Sequence, residues 1–364
     1  MKILAIETSC DETAAAVVEN GVKILSNVVA SSHEMHEKYG GIVPEVAARK
    51  QLESIIPVIT EALEQANLDY QSIDSLAVTV GPGLIGSLLV GVETAKTIAF
   101  VTKKPIIPVN HVLAHMYANF VTSSEQNSSR VLSEVEGSRD NIKFPAISLV
   151  VSGGHTELYL MQSPKKLRWL GGTLDDAAGE CFDKTARLLG FGHGGGVAIQ
   201  EAASKYQIAN SKYQIKLPRP MLDKKNELNF SFSGLKTAIL REVNKLKESK
   251  QFTDATIQQL AFEVQETITD VLVKKTLFAA NTFDAQSILL SGGVASNLRL
   301  REKFMIPLPR PARRGGHDSQ FMIHVPPVSL CTDNAVYIAA YGHFRGEPVD
   351  WKTINALPDF SVEV

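Results

Sequence analysis

Short apolar runs separated by polar turns predict three strands at the start of the chain. Residues 3–6 and 14–18 are apolar, residues 24–29 are apolar except for Ser26 and Asn27, and residues 7–13 between the first two runs are polar. Asn20-Gly21, just before the third run, is a residue pair that hairpin turns favour. We therefore predict a meander of three strands.

A helix, a buried strand and a second helix are predicted next. Helical periodicity covers residues 45–66 and, with small residues on one face, residues 87–101. Between them, the apolar run of residues 76–80 ends in Gly81-Pro82-Gly83. The first half of the chain therefore closes with a strand, a glycine turn and a helix.

The same succession returns in the second half. Residues 146–151 predict a strand, Ser152-Gly153-Gly154 begins a turn of small residues, and residues 157–161 predict the returning strand. Residues 287–290 predict a further strand, which leads through Ser291-Gly292-Gly293 to a helix after Asn297. This repetition indicates a diverged duplication.

The duplication predicts an α/β protein of two mixed domains with a nucleotide-binding cleft between them. We expect residues 1–120 to form the first domain, completed by a C-terminal helix at about residues 332–346. Residues 121–143 predict a flexible insertion. We expect residues 144–331 to form the second domain, in which residues 307–327, rich in Pro, Arg and Gly, predict an irregular loop.

Composition agrees with two globular domains. The chain has 364 residues, of which 44% are hydrophobic and 21% charged, as in soluble proteins. Its net charge of −2 provides no general basic field, so a nucleic acid would need a local patch or a partner chain. The candidate phosphate contacts are Arg49, Lys50, Arg310, Arg313 and Arg314, for which solvated surface charge is the alternative.

Three sequence features favour a cytoplasmic protein. The cysteines, Cys10, Cys181 and Cys331, are few and odd in number, which favours a reducing compartment over a disulfide framework. Glu7 interrupts the N-terminus before an apolar signal segment could form. Apolar runs such as residues 146–151 are shorter than a membrane span, so we expect no membrane association.

The most informative motif is His111-Val112-Leu113-Ala114-His115. On a helix, side chains at i and i+4 lie on one face, so both imidazoles could bind one transition metal. Metalloproteases with the H-E-x-x-H motif use the Glu beside the first His as general base. Val112 occupies that position here, which disfavours peptide hydrolysis and favours a metal that acts as a Lewis acid.

Asp333 is the candidate third ligand. It comes at the start of a predicted apolar helix, so the alternative is that it caps that helix. Two histidines and one carboxylate suit Fe(II) or Zn(II).

The two glycine turns are candidate anion-binding sites. Ser152-Gly153-Gly154 and Ser291-Gly292-Gly293 both follow strands, where successive N–H groups can form an anion nest. A tight turn without a ligand is the alternative for each, but two equivalent turns favour a nucleotide. Residues 151–156 contain no Asp that could serve as base, so we expect nucleotide binding without phosphoryl transfer.

Acidic and serine-rich stretches offer further candidates. Asp175 could cap the helix that it precedes, and Ser231 and Ser233 predict the capped entry of another helix. Asp183 could accept a hydrogen bond from a ribose hydroxyl, with a solvated carboxylate as the alternative. Residues 192–196 predict a flexible loop.

These motifs together resemble one family closely. The matching stretches are IETSCDETAAAVV, GGIVPEVAARKQ, VGPGLIGSLLVG, NHVLAHMYA, LVVSGGHTEL, TLDDAAGECFDKTARLLG, FSFSGLKTA, LLSGGVASNLRLRE and SLCTDNAVYIA. They resemble the bacterial tRNA N6-adenosine threonylcarbamoyltransferases, formerly called O-sialoglycoprotein endopeptidases, of the actin/Hsp70/sugar-kinase superfamily. The resemblance covers nearly the whole chain in order and implies two actin-like domains with a ribonuclease H-like fold.

The resemblance implies an activity and the residues that perform it. The family transfers a threonylcarbamoyl group from threonylcarbamoyl-AMP to N6 of adenosine-37 in tRNAs that read ANN codons. His111, His115 and Asp333 match its metal ligands. The positions that match its substrate-binding residues are Val150, Val151, Ser152, Gly153, Gly154, Asp183, Gly196 and Asn297.

The resemblance also implies partners. Bacterial members work with an inactive paralogue and a small ATPase, while a separate synthase supplies the activated intermediate. We expect the same partners here, with a homodimer as a further expectation. The alternatives are a kinase or ATPase of the same superfamily and a non-catalytic subunit of the tRNA-modifying complex.

The chain departs from the family pattern in one loop. The family has Tyr-Pro-Gly-Gly-Pro after the acidic helix, where this chain has His193-Gly194-Gly195-Gly196-Val197. Without the two prolines, we expect a more mobile loop. The sequence does not indicate a general base: His33 and His36 are candidates by residue type only, and a surface position is the alternative for each.

Overall fold

The computed structural model describes residues 1–32, 35–36, 42–122, 142–192, 194–206, 215–222, 227–306 and 320–361. Internal contacts divide the chain into two compact units. The first comprises Met1–Asp140, Pro164–Lys166 and Pro326–Val364, and the second comprises Asn141–Ser163 and Leu167–Val325. Most of the predicted insertion, and Arg310, Arg313, Arg314 and His33, lie outside the described residues.

The first unit contains a five-stranded mixed sheet. Its strands are β1 (Lys2–Glu7), β2 (Glu12–Glu19), β3 (Lys23–Ser31), β4 (Ser75–Gly81) and β5 (Ile106–Asn110), in the order β3-β2-β1-β4-β5. β1 is antiparallel to β2 and parallel to β4. Asn20 and Gly21 adopt positive φ angles of 55° and 66° between β2 and β3, which confirms the predicted hairpin turn.

The second unit repeats this topology. Its strands are β6 (Ala146–Val151), β7 (Thr156–Ser163), β8 (Lys166–Gly172), β9 (Ser287–Ser291) and β10 (Met322–His324), in the order β10-β9-β6-β7-β8. Read from the other edge, this is the order of the first sheet, with β6 in the place of β1 and β9 in the place of β4. The predicted duplication is therefore confirmed.

Nine α-helices accompany the two sheets within the described residues. They are α1 (Pro44–Gln65), α2 (Ile85–Thr102), α3 (His111–His115), α4 (Ala178–Leu188), α5 (Gly195–Ser204), α6 (Ser233–Glu248), α7 (Asp254–Thr282), α8 (Leu298–Met305) and α9 (Val336–Phe344). α1, α2, α3 and α9 belong to the first unit, and α4 to α8 belong to the second.

The core of the first unit lies between its sheet and the helices α1 and α2. Leu4 and Ile6 of β1 are fully buried there with Ile59 of α1 and Val92 of α2. Their burial follows from the sequence, because residues 3–6 of β1 are apolar and α1 places apolar residues at helical spacing.

Helix α2 bears on the expectation of no membrane association. Among the described residues it is the one helix long and apolar enough to cross a membrane, judged by length and composition only. Its sequence contains no continuous apolar run of that length. The run is broken by polar positions, including Glu93 and Lys96, which pair at 2.7 Å. Its buried face, with Leu88 and Val92, packs in the core of the first unit, as a helix of a globular domain does.

Candidate metal centre and glycine turns

The two histidines of the motif follow directly after a core strand. β5 ends at Asn110, and the side chain of Asn110 accepts a hydrogen bond from the Leu113 amide at 3.1 Å, which caps α3. On this short helix the rings of His111 and His115 lie side by side, with centroids 4.7 Å apart. Both side chains are buried, as the i and i+4 spacing on a core-facing helix predicts.

Asp333 faces these histidines and does not cap the following helix. The N-cap of that helix is Ala335, which provides no side-chain cap, and the Oδ1 of Asn334 accepts the Val336 amide at 3.0 Å. Asp333 Oδ1 lies 3.7 Å from His111 Nε2 and 3.5 Å from His115 Nε2. One ligand atom from each of the three residues lies within 4.8 Å of the others, so the predicted trio meets in space.

The chemistry of this trio fits a divalent metal. Neither ring nitrogen of His115 has a hydrogen-bond partner in the described part of the chain, although both are buried. The 3.5 Å separation from Asp333 is too long for a good hydrogen bond. Because an unsatisfied buried imidazole is costly, a metal at Nε2 would satisfy it, and two imidazoles with one carboxylate are a common donor set.

Glu7 lies behind His111, on the side away from Asp333. Its Oε2 is 3.1 Å from His111 Nδ1. Burial alone would lower the pKa of His111, but the charges of Glu7 and Asp333 raise it to about 9. Burial alone would raise the pKa of Glu7, but the charge of His111 and their hydrogen bond hold it below its usual value.

The pKa values of the other two members of the trio, His115 and Asp333, are lowered, whereas that of His111 is raised. Burial lowers the pKa of His115, so this imidazole is neutral near pH 7. Burial alone would raise the pKa of Asp333, but the charge of His111 and the nearby His115 imidazole hold it far below its usual range. The trio therefore offers one neutral imidazole, one carboxylate and one imidazole that must release a proton to bind a metal.

Tyr337 completes the surroundings of the trio. Its hydroxyl donates to Asp333 Oδ1 at 3.3 Å, and its ring centroid lies 4.5 Å from that of His115. Sequence reasoning missed both Tyr337 and Glu7. The signal for Glu7 was an acid at the end of an otherwise apolar strand, and the signal for Tyr337 was its position one helical turn after Asp333.

The predicted glycine turns lie at neighbouring strand ends in the second unit. β6 and β9 are parallel, with Val150 opposite Ser291. Gly292, at φ 86° and ψ 164°, passes so close to Val151 that a Cβ there would overlap its carbonyl oxygen. Carboxyl ends of adjacent parallel strands are favoured ligand positions in α/β folds.

The first of these turns has an exposed backbone. Val150 and Val151 are buried, whereas Gly153 and Gly154 are exposed, and a Cβ on either would meet no described atom within 4 Å. The amides of Gly179 and Glu180 in α4 donate to the carbonyls of the turn at 3.3 and 3.0 Å. The turn and the helix that carries Asp183 are thus joined directly.

The remaining predicted substrate residues lie on three helices. The exposed Asp183 of α4 packs so tightly against Gly195 of α5 that a Cβ on Gly195 would overlap its carboxylate. Gly196 follows, with open space at its Cβ position among the described residues. Asn297 caps α8 by accepting the Leu300 amide at 3.0 Å and donates to Gln265 at 3.1 Å.

Asp175 caps a different helix from the one predicted. α4 begins at Ala178, and Ala177 before it provides no side-chain cap. Instead, the Asp175 carboxylate accepts hydrogen bonds from the backbone amides of Phe232 and Ser233 at 2.8 and 3.1 Å, and from the hydroxyls of Ser231 and Ser233. These contacts explain the serine-rich entry of α6, and hydrogen bonding holds the pKa of Asp175 below its usual value despite its burial.

Comparison with known proteins decides the family. The model of the tRNA N6-adenosine threonylcarbamoyltransferase family matches residues 23–340, which is most of the chain.

The chain belongs to the tRNA N6-adenosine threonylcarbamoyltransferase family.

Curated members of the family match over nearly their full length. The enzyme named tRNA N6-adenosine threonylcarbamoyltransferase in Syntrophomonas wolfei is 46% identical over 94% of this chain and 92% of its own. Those of Thermomicrobium roseum and Persephonella marina are 46% and 43% identical, covering 95% and 100% of this chain and 92% and 94% of theirs. The chain is therefore a transferase that modifies tRNA.

Solved structures support the fold. T. kodakarensis HypF is 13% identical, with a TM-score of 0.53 over 94% of this chain and 48% of that chain. Full-length HypF in its phosphate- and nucleotide-bound form gives the same TM-score at 12% identity, over 94% of this chain and 54% of that chain. At this identity the likeness concerns the fold alone, which is the predicted actin-like architecture.

Proposed function

We propose that this chain transfers the threonylcarbamoyl group from threonylcarbamoyl-AMP to N6 of adenosine-37 in tRNAs that read ANN codons. The observation that carries the proposal is the meeting of His111, His115 and Asp333, whose ligand atoms lie within 4.8 Å of one another. A divalent metal on this trio, Fe(II) or alternatively Zn(II), would supply a Lewis acid for the carbonyl of the threonylcarbamoyl group.

The AMP part of the donor is assigned to the second unit. Val150, Val151, Ser152, Gly153 and Gly154 would offer backbone N–H groups to the phosphate, which the exposed turn at Gly153 and Gly154 supports. The corresponding turn of the first unit, after β1, carries the acids Glu7 and Asp11, which would disfavour a phosphate there.

Three further residues would hold the nucleoside. Asp183 is exposed and would accept a hydrogen bond from a ribose hydroxyl, while Gly196 leaves room for the ligand beside it. Asn297 keeps one free donor and one free acceptor position after its contacts with Leu300 and Gln265. These groups would therefore bind AMP without catalysing phosphoryl transfer.

In this proposal, neither of the histidines that the sequence suggested as a general base assists the attack of the acceptor amine. Both ring nitrogens of His36 are engaged, with the Ser32 hydroxyl at 3.2 Å and the Val43 amide at 3.3 Å. His36 thus has a structural role in this proposal. Because an exocyclic amine is a poor nucleophile, orientation of amine and carbonyl would supply most of the rate enhancement.

The partner subunit is assigned to an apolar surface of the first unit. Leu52 and Ile56 on α1 are 65% and 56% exposed, and Ile85 and Leu89 on α2 are 51% and 44% exposed. Each pair is spaced i and i+4, so the two side chains of each pair lie on one exposed face of their helix. We assign the inactive paralogue to this surface, with the small ATPase as a further partner of the complex.

Charge placed on the apolar surface tests the partner assignment. Leu52→Glu should abolish co-elution with the paralogue in size-exclusion chromatography, because it buries a charge at the interface. Leu240→Glu, at an exposed apolar position on α6 of the second unit, is the matched control and should leave co-elution unchanged. A dimer of the chain alone that Leu52→Glu dissociates would instead assign the surface to a homodimer.

Transfer to tRNA from purified threonylcarbamoyl-AMP, with and without partner proteins, is the deciding experiment. We expect activity in the wild type and its loss in His111→Ala. Unchanged transfer by His111→Ala would exclude the proposed mechanism, and robust ATP turnover by the pure protein would favour a kinase or ATPase. Stoichiometric metal in the purified protein that His115→Ala abolishes would exclude the alternative of a non-catalytic subunit. We also assign the chain to the cytoplasm, where its tRNA substrate is found.

A further inference from the structure

The two ring nitrogens of His111 face different carboxylates. Nε2 is directed to Asp333, 3.7 Å away, and Nδ1 to Glu7, 3.1 Å away. An imidazole that binds a metal through one nitrogen usually donates the proton on its other nitrogen to an acceptor, which fixes both the tautomer and the ring orientation. Glu7 occupies the place of that acceptor.

Glu7 is itself held rigidly. Its Oε1 accepts the Ser9 amide at 2.5 Å, and its Oε2 accepts the Thr79 hydroxyl at 2.5 Å. Glu7 ends β1 and Thr79 lies on β4, and these two strands are paired in parallel at the centre of the sheet. With 1% of its surface exposed, the carboxylate has no freedom to leave His111, so its position is fixed by the core of the unit.

We propose that Glu7 is a positioning residue, which holds the Nδ1 proton of His111 and thereby presents the lone pair of Nε2 to the metal. This inference rests on the proposed metal-dependent function. It separates the roles of the two acids near His111, because Asp333 would bind the metal directly whereas Glu7 would act only through the imidazole.

His115 provides an internal comparison. Neither of its ring nitrogens has a hydrogen-bond partner among the described residues, and its orientation comes from packing against the rings of Tyr337 at 4.5 Å and His111 at 4.7 Å. Glu7 thus supports one histidine of the pair only. His111 becomes the more basic ligand, and removal of the Glu7 charge should weaken metal binding without removing any ligand atom.

Glu7→Gln tests this inference with Co(II) as the probe. Glutamine keeps the size of the side chain, but its amide nitrogen cannot accept the hydrogen bond from Ser9 or Thr79. We expect Co(II) affinity to fall by about 10- to 100-fold, with one ion still bound per chain and a shifted visible d–d spectrum. Glu19→Gln, an acid on the neighbouring strand β2, is the matched control and should change neither affinity nor spectrum.

The outcomes separate this inference from the proposed function. Affinity and spectrum equal to wild type in Glu7→Gln would overturn the positioning role while leaving the metal site intact. Absence of Co(II) binding in the wild type would overturn the metal-dependent function itself. If Glu7→Gln does not fold, Thr79→Val removes one hydrogen bond from the same carboxylate and should weaken Co(II) binding in the same direction; unchanged affinity in that variant would likewise contradict the inference.

Discussion

Gly292 lies against the carbonyl oxygen of Val151, so that no side chain fits between the ends of β9 and β6. Its backbone conformation, φ 86° and ψ 164°, belongs to a region that glycine alone adopts readily. The close contact and the backbone conformation both require glycine at position 292. The approach of the two glycine turns therefore depends on Gly292.

Gly292→Ala should damage the second unit and its nucleotide binding. The unfavourable backbone conformation costs on the order of 1–3 kcal/mol, and the overlap with Val151 adds to it. We expect a lower melting temperature, and a weaker AMP affinity because the turn must shift to relieve the overlap with Val151. Thermal unfolding and calorimetric titration with AMP measure the two effects.

Gly293→Ala is the matched control for this substitution. Gly293 has no positive φ and no described atom within 4 Å of its Cβ position. Its replacement should leave stability close to wild type. Equal effects of the two substitutions would show that the close contact between Gly292 and Val151 does not determine the stability of the turn.

Metal affinity should rise with pH. The pKa of His111 is raised to about 9, so below this pH the metal must displace one proton from His111, whereas His115 and Asp333, with lowered pKa values, have none to release. We expect the binding constant for Co(II) to increase about tenfold per pH unit from pH 7 and to level off near pH 9. A binding constant that is flat over this range would contradict the assigned protonation of His111.

His115→Ala should remove the metal. It deletes one of three ligands from the trio, so we expect bound metal to fall from one ion per chain to a small fraction of it. Elemental analysis after dialysis measures the content. His343→Gln, on α9 of the same unit with its ring beside Gly21, is the control and should retain the full content. Equal loss in both variants would indicate general unfolding.

Asp175→Ala should destabilise the entry of α6. The substitution removes four hydrogen bonds, two of them to backbone amides at the helix start, and the loss of such a cap costs about 1 kcal/mol. Urea unfolding measures the change. Glu248→Ala, at the C-terminal end of the same helix, removes an acid that opposes the helix dipole and should not destabilise. If Asp175→Ala matches the wild type, the cap carries no stability.

The sequence determined the elements with strong periodicity. The meander, the two core helices of the first unit and strand β6 appear where the apolar patterns predict them, because burial of one or both faces imposes the pattern. The patterns did not reveal β5, β8, β10 or the long helix α7. β5 and β10 are short, at five and three residues, and short apolar segments do not distinguish strand from loop.

The sequence also supplied the members of the metal trio and the glycine turns as candidates by residue type and spacing. Only the tertiary structure brought Asp333, more than two hundred positions away, to the histidines, while the Asn334 side chain accepts the Val336 amide. It likewise showed that Asp175 accepts hydrogen bonds at the start of α6, and that Glu7 lies beside Nδ1 of His111. The reason is that local periodicity specifies which face of an element is buried, whereas long-range packing decides which side chains meet on that face.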